Sequence, residues 1–195
     1  MDHGDPLRLT PLQGRRLLLG VAGGIAAYKI AGLASTLVQA GADVTVAMSE
    51  AAMRFVTPLT FESITGRAVY TDIWGPLDHA DPQHVRLVRE IDLVLLAPCT
   101  MDLLGRLAGG LAGDPLTLLA AVVDRRRQPT LLAPSMNEVM WNQPAVQRNV
   151  EQLRRDGFVV IEPTEGWHAC RTGGPGRLPE PEALVDAILE HLPAR

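Results

Sequence analysis

Short, unbroken apolar stretches alternate along this chain with longer stretches in which apolar residues recur at helical spacing. The apolar runs RLLLGVA (16–22), ADVTVAM (42–48), IDLVLLAP (91–98), PTLLAP (129–134) and FVVIEP (158–163) have the length and boundaries of strands. A further short strand is expected near residues 67–71. Helical spacing occupies residues 23–39, a stretch from Ser49, residues 101–123, 145–155 and 181–192, and HVRLVRE opens an amphipathic stretch at His84. Residues 57–66 read as a proline-containing connection, and WGPLDHADPQH (74–84) as a long polar loop. Because the strands are apolar at nearly every position, both of their faces must be covered. That requirement predicts a parallel sheet with helices on either side: a three-layer, doubly wound α/β fold of the Rossmann-like or flavodoxin-like kind. Residues 15–195 are expected to form one domain, preceded by a flexible N-terminal extension, residues 1–14.

In such sheets ligands bind beyond the carboxyl ends of the strands, so the loops after Val21, Met48, Pro98, Pro134 and Pro163 are the places to look for chemistry. The first, GVAGGIAAYK (20–29), puts glycines between a strand and a helix, where backbone can approach a ligand and free N–H groups at the helix start favour a phosphate. Its spacing fits neither GxGxxG nor GxxxxGK[ST], and a tight turn needing glycine for packing is an equal reading. Ser49 opens the second loop and reads first as a helix cap. Cys99, Thr100 and Asp102 follow the third apolar run, where they can cap a helix or hold polar ligand groups. Three such loops on one sheet edge describe a pocket. The spacing of His79 and His84 lacks supporting ligands, so no metal is assigned.

Composition narrows the partners. With 195 residues, 47% of them hydrophobic, the chain can bury a sizeable core, and a net charge of −4 with dispersed basic residues leaves no footprint for nucleic acid or an anionic membrane. The N-terminal residues contain no signal-like apolar segment and no run is long enough to span a bilayer, so a cytoplasmic protein with a small-molecule ligand is expected. The chain has two cysteines, too few for a disulfide framework. Cys99, at the end of a buried strand, reads as a structural or wall residue. Cys170 lies in the Gly-rich segment GWHACRTGGPGRLPEP beside His168 and Arg171, where a lowered thiol pKa suits acid–base or redox chemistry.

The segment PSMNEVMW (134–141) matches a PxMNxxMW signature, and GGIAAYK, the His84 segment, LAGGLAGD and ACRTGGPGR stand around it in matching order. In these features, over about residues 15–190, the chain resembles the homo-oligomeric flavin-containing cysteine decarboxylases, whose best known members act on 4′-phosphopantothenoylcysteine in coenzyme A biosynthesis. The resemblance implies a carbon–carbon lyase that uses FMN to form 4′-phosphopantetheine. It assigns Gly23, Gly24, Ile25, Ser49, Thr100, Met101, Asp102 and Ser135 to the FMN site. Asn137, Met140 and Arg171 are assigned to the substrate, and His84, Asn137 and Cys170 to catalysis. Asn137 would hold the substrate carboxylate through an amide that adds no charge and so still lets CO2 leave. His84 would position the substrate and handle its proton. Oxidation of the cysteine moiety to a thioaldehyde would precede decarboxylation to an enethiolate, and Cys170 would protonate it as the saturated thiol forms. A homo-oligomer, trimer or dodecamer, is implied, with no second synthetase domain in this chain.

Two positions depart from the family pattern. Arg171 follows Cys170 where glycine is usual, and Asp102 replaces the usual asparagine. Alternatives from other classes are a peptidyl-cysteine decarboxylase that forms C-terminal enethiols and a non-catalytic flavin-binding regulatory subunit. Retention of Cys170 favours the first reading over the former, and the absence of a long acidic tail weighs against the latter. Flavin prenyltransferases share the fold but lack PxMNxxMW and rank last.

Overall fold

A computed structural model of the chain describes residues 6–75, 82–167 and 173–194. Five parallel strands form the central sheet in the order β2-β1-β3-β4-β5: β1 (Arg16–Val21), β2 (Asp43–Met48), β3 (Leu93–Cys99), β4 (Thr130–Pro134) and β5 (Val159–Val160). β1 sits between β2 and β3, with Leu18 opposite both Thr45 and Val94. The strand order therefore reverses at β1, and the crevice between β1 and β3 is the topological switch point of the sheet.

Helices cover both faces, as the uninterrupted apolar strands require. α1 (Ala27–Gln39), α2 (Pro58–Thr65) and α8 (Pro181–His191) pack on one side, where Leu17, Leu19, Ile30, Leu33 and Phe61 are fully or almost fully buried. α3 (Gln83–Arg89), α4 (Met101–Ala108), α5 (Pro115–Val122), α6 (Glu138–Trp141) and α7 (Pro144–Arg155) cover the other, around Leu18, Leu96, Leu104, Leu116 and Val146. Among the described residues no helix is long and apolar enough to cross a membrane.

The structure differs from the sequence expectations at several elements. Residues 58–65 are a helix, because Pro58 stands at its first turn, where no N–H partner is lost. The strand expected near 67–71 is a single bridge between Ala47 and Tyr70. The helical stretch 101–123 is two helices, interrupted at Gly109–Gly113, where Gly110 takes a positive φ. The fifth strand is two residues long: Val159 and Val160 pair with Leu131 and Leu132, and the chain then leaves the sheet. It goes on to form an antiparallel hairpin, β6 (Thr164–Trp167) with β7 (Gly173–Arg177), in a segment read as loop because GGPGR has little strand propensity.

Residues 6–12, within the expected extension, form a 3-10 helix, and Leu12 is fully buried in the core. Arg15 donates to the carbonyls of Pro11 and Pro193, so the segment before β1 meets the residues after α8 at the amino edge of the sheet. A Leu12→Ala substitution is expected to lower the unfolding free energy by about 2–5 kcal/mol, measured by denaturant unfolding; an unchanged midpoint would show that this segment does not support the domain.

Candidate active site

The loops leaving β1, β2, β3 and β4 meet at the carboxyl edge. After β1 the chain bends through Gly23 and Gly24, with Gly24 N–H donating to the Ala22 carbonyl and Ala27 N–H to the Gly24 carbonyl, before entering α1. α1 has no side-chain cap at its N-terminus. Gly23 packs directly against the loop after β2: a Cβ there would lie 2.4 Å from the Ala51 Cβ and 2.7 Å from its carbonyl carbon. Glycine is required here for backbone approach, whereas Gly24 has only ordinary contact, 3.5 Å to Thr100.

Ser49 and Thr100, which follow β2 and β3, each use a side-chain oxygen on their own loop. Ser49 Oγ accepts from Ala52 N–H at 3.2 Å, as the cap reading anticipated. Thr100 Oγ1 caps α4 by accepting from Leu103 N–H, and Asp114 caps α5 in a capping box with Thr117. Caps of this kind contribute ~1 kcal/mol each. Asp102 points its carboxylate at Arg106 one turn on, 2.7 Å from Nε, while Arg106 also stands 3.8 Å from Asp114. The charge added by Asp102 is thus matched within its own helix, and its hydrogen bond raises the Arg106 pKa further. Sequence reasoning passed over Arg106, although its spacing from Asp102 is that of a helical ion pair.

The PSMNEVMW segment resolves into a single helical turn with two faces. Met136 and Trp141 are buried in the core, while Val139 and Met140 are exposed. Asn137 is the cap between them: its Oδ1 accepts from Met140 N–H at 2.8 Å. With the oxygen committed, the amide presents its NH2 as the remaining polar group. The β6–β7 hairpin is fastened onto this turn. Met136 N–H donates to the Gly176 carbonyl at 2.9 Å, and Gly176 (φ +112°) has no room for a Cβ, which would fall 2.4 Å from the Met136 oxygen.

Two hollows open over the edge at the switch point and share Gly23, Thr100 and Asp102. The larger, ≈ 550 Å³, reaches Ser49, Arg106 and Asp114. The smaller, ≈ 390 Å³, is walled by Ile25, Met101, Ser135, Asn137 and Met140. Both lie in the ~300–1,000 Å³ range of ligand sites. Every residue expected to line the FMN site borders one of them, together with Asn137 and Met140. His84, half-buried in the first turn of α3, borders neither. Cys170 and Arg171 fall outside the described residues, as do His79 and His168. Cys99 is fully buried, and burial pushes its thiol pKa up, as suits a structural residue.

The flavoprotein family profile matches residues 8–193. The bifunctional coenzyme A biosynthesis protein CoaBC of Bacillus subtilis (strain 168) is 46% identical over 182 residues, which are 92% of this chain and 44% of that protein; the chain thus spans less than half the length of this relative. A solved PPC decarboxylase, a cysteine-to-serine variant complexed with pantothenoylaminoethenethiol, superposes with a TM-score of 0.82 at 27% identity over 91% of this chain and 98% of that one. The FMN-dependent cysteine decarboxylase SpaF gives 0.78 at 32% identity over 92% and 97%.

Replacing Gly23 by alanine is expected to force the β1–α1 and β2–α2 loops apart and to cost about 1–3 kcal/mol in denaturant unfolding. Parental stability with an unmoved loop would contradict the close packing described.

Proposed function

The chain belongs to the flavoprotein family, and from that premise we propose that it converts 4′-phosphopantothenoylcysteine to 4′-phosphopantetheine with FMN as its cofactor. The observation that carries this reading is Asn137. Its carbonyl oxygen is held by its own helical turn, which leaves an uncharged donor at the wall of a ≈ 390 Å³ hollow that adjoins the larger one of ≈ 550 Å³. The 46% identity to the CoaBC protein of B. subtilis and the likeness to the decarboxylase holding an ethenethiol compound support the substrate class.

The residues present fit FMN. An uncapped helix start behind a glycine turn offers backbone N–H groups to a phosphate, and Ile25, Met101 and Met136 give the adjoining hollow apolar walls. Gly23, Gly24, Ser49, Thr100, Asp102 and Ser135 would complete the site. When bound there, FMN supplies a reversible two-electron exchange with the cysteine moiety.

The chain's own residues supply orientation and protons. Asn137 binds the carboxylate through its NH2 and presents no negative charge to oppose it. Met140 walls the same hollow and confines the substrate chain. Cys170 would give the proton that completes the saturated thiol, Arg171 would add a cation for the substrate phosphate, and His84, which borders neither hollow of its own chain, would handle the substrate's proton from a neighbouring copy in the proposed homo-oligomer. Side chains of Ile25, Val139 and Met140 remain 58%, 70% and 36% exposed around this edge, an apolar rim that supports a homo-oligomer, trimer or dodecamer, as the working unit.

The purified protein, given 4′-phosphopantothenoylcysteine, is expected to yield 4′-phosphopantetheine by mass spectrometry. A yellow protein that leaves this substrate untouched overturns the reading. Asn137→Asp keeps an acceptor for Met140 N–H and hence the cap, but sets charge against charge. Turnover should fall at least about a hundredfold with FMN retained, and undiminished turnover would remove Asn137 from the mechanism. Cys170→Ser should still release CO2 while the enethiol accumulates, and complete conversion to the saturated thiol would exclude its role as proton donor.

A further inference from the structure

A separate hollow, ≈ 310 Å³, opens at the other edge of the sheet, where the strands begin. Its walls come from parts of the chain far apart in sequence: Arg16, the first residue of β1, Asp43 and Thr45 of β2, Arg67 beyond α2, and Arg86 and Glu90 at the end of α3. Two of the three arginines are held from the side by a carboxylate. Arg16 Nη1 pairs with Glu90, and Arg67 Nη2 lies 2.6 Å from Asp43 Oδ2. Each pair engages one nitrogen of its guanidinium, which leaves further N–H groups for a second acceptor. The third, Arg86, is exposed in the last turn of α3, and its side chain has no hydrogen bond or ion pair among the described residues.

Thr45 supplies an independent observation. It is only 8% exposed, and its hydroxyl has no hydrogen-bond partner among the described residues. No side-chain oxygen among those residues is both sealed from solvent and unpaired, so the Thr45 hydroxyl opens onto the hollow that it lines. Packing does not account for it. The rest of β2 beyond Asp43 is apolar, and a valine would fill this position without leaving a hydroxyl unpaired. Nor does folding account for Arg86, a third guanidinium set beside two others with only two carboxylates to balance them.

We propose that this hollow binds a phosphoryl group, carried by inorganic phosphate or by the phosphomonoester of a larger metabolite, with Arg16, Arg67 and Arg86 as charged donors and the Thr45 hydroxyl at its floor. Guanidinium groups donate and cannot accept, which suits an ion whose several oxygens all accept, and their forks match phosphate geometry. The same donors repel a metal cation. Ser49, Asn137 and the hollows that they border stand at the opposite edge of the sheet, so the ligand bound here is neither the flavin nor the substrate proposed above. It would tie the start of β1, the residues after α2 and the end of α3 together, and so raise the stability of the folded chain by mass action. None of this depends on the decarboxylase reading.

Calorimetric titration checks the site, using FMN-loaded protein freed of excess cofactor, with sodium phosphate or AMP as the ligand and chloride holding the ionic strength constant. Thermal unfolding is followed over the same concentrations. The parent should show saturable binding and a midpoint that rises with ligand. Arg86→Gln should bind at least about tenfold more weakly, the scale of one lost charge-assisted hydrogen bond. Its midpoint without ligand should stay at or above the parental value, because Arg86 has no partner to leave unpaired. Thr45→Val keeps the side-chain shape and should also weaken binding. Affinity for AMP equal to that for phosphate assigns the site to a phosphomonoester, and binding of phosphate alone assigns it to the free ion; both uphold it. Binding that fails to saturate, or that is the same in the parent and both variants, overturns it. A ligand-free Arg86→Gln midpoint well below the parental one also does so, since Arg86 would then serve the fold.

Discussion

Parallel pairing of β1 with both β2 and β3 is the constraint on which the rest of this molecule depends. Strands that all run one way must be joined by helices that recross the sheet, so successive strand ends gather at one edge. Because β1 lies between β2 and β3 and the connections to these two strands depart to opposite faces, the loops beside it diverge and leave a crevice. Burial enforces the arrangement: the interior residues Leu17, Leu18, Val94 and Leu95 have almost no exposed surface, so a slip in register would trade packed contacts for voids.

At that edge, polarity and rigidity come from the same side chains. Ser49, Thr100 and Asn137 each give an oxygen to a backbone N–H nearby, and Asp114 does so twice. Such bonds settle which way a side chain faces before any ligand arrives, and each hydroxyl or amide still has hydrogen-bonding capacity to spare. For Ser49 and Thr100 the cap leaves a ligand contact open as well. Asn137 illustrates the economy best, since capping dictates which end of its amide is presented.

The parallel strands were legible because they are apolar on both faces, and the PxMNxxMW signature was legible because it is long. Other features were hidden for physical reasons. Pro58 looked like a breaker although it stands where a helix tolerates it, and Gly173–Arg177 looked like loop although glycine is what lets that strand lie against Met136 and Glu138. The fifth strand was overestimated because Ile161 is apolar for packing rather than for sheet pairing. Lys29 and Glu180 are 151 residues apart, and no local pattern announces their contact. Motif order singled out His84, but the single chain does not bring it to the hollow that Asn137 borders.

Arg15 joins the beginning and end of the described chain by donating to the Pro193 carbonyl, on the side of the sheet where the strands start. The described ends of the chain therefore meet on that lower side, with the length of the strands between them and the crevice. A tag, a surface tether or a second folded unit joined near Arg15 or Pro193 would thus leave the upper rim unshaded. The geometry makes this domain a natural module: its attachment points and the two hollows over the crevice are at opposite edges of the sheet.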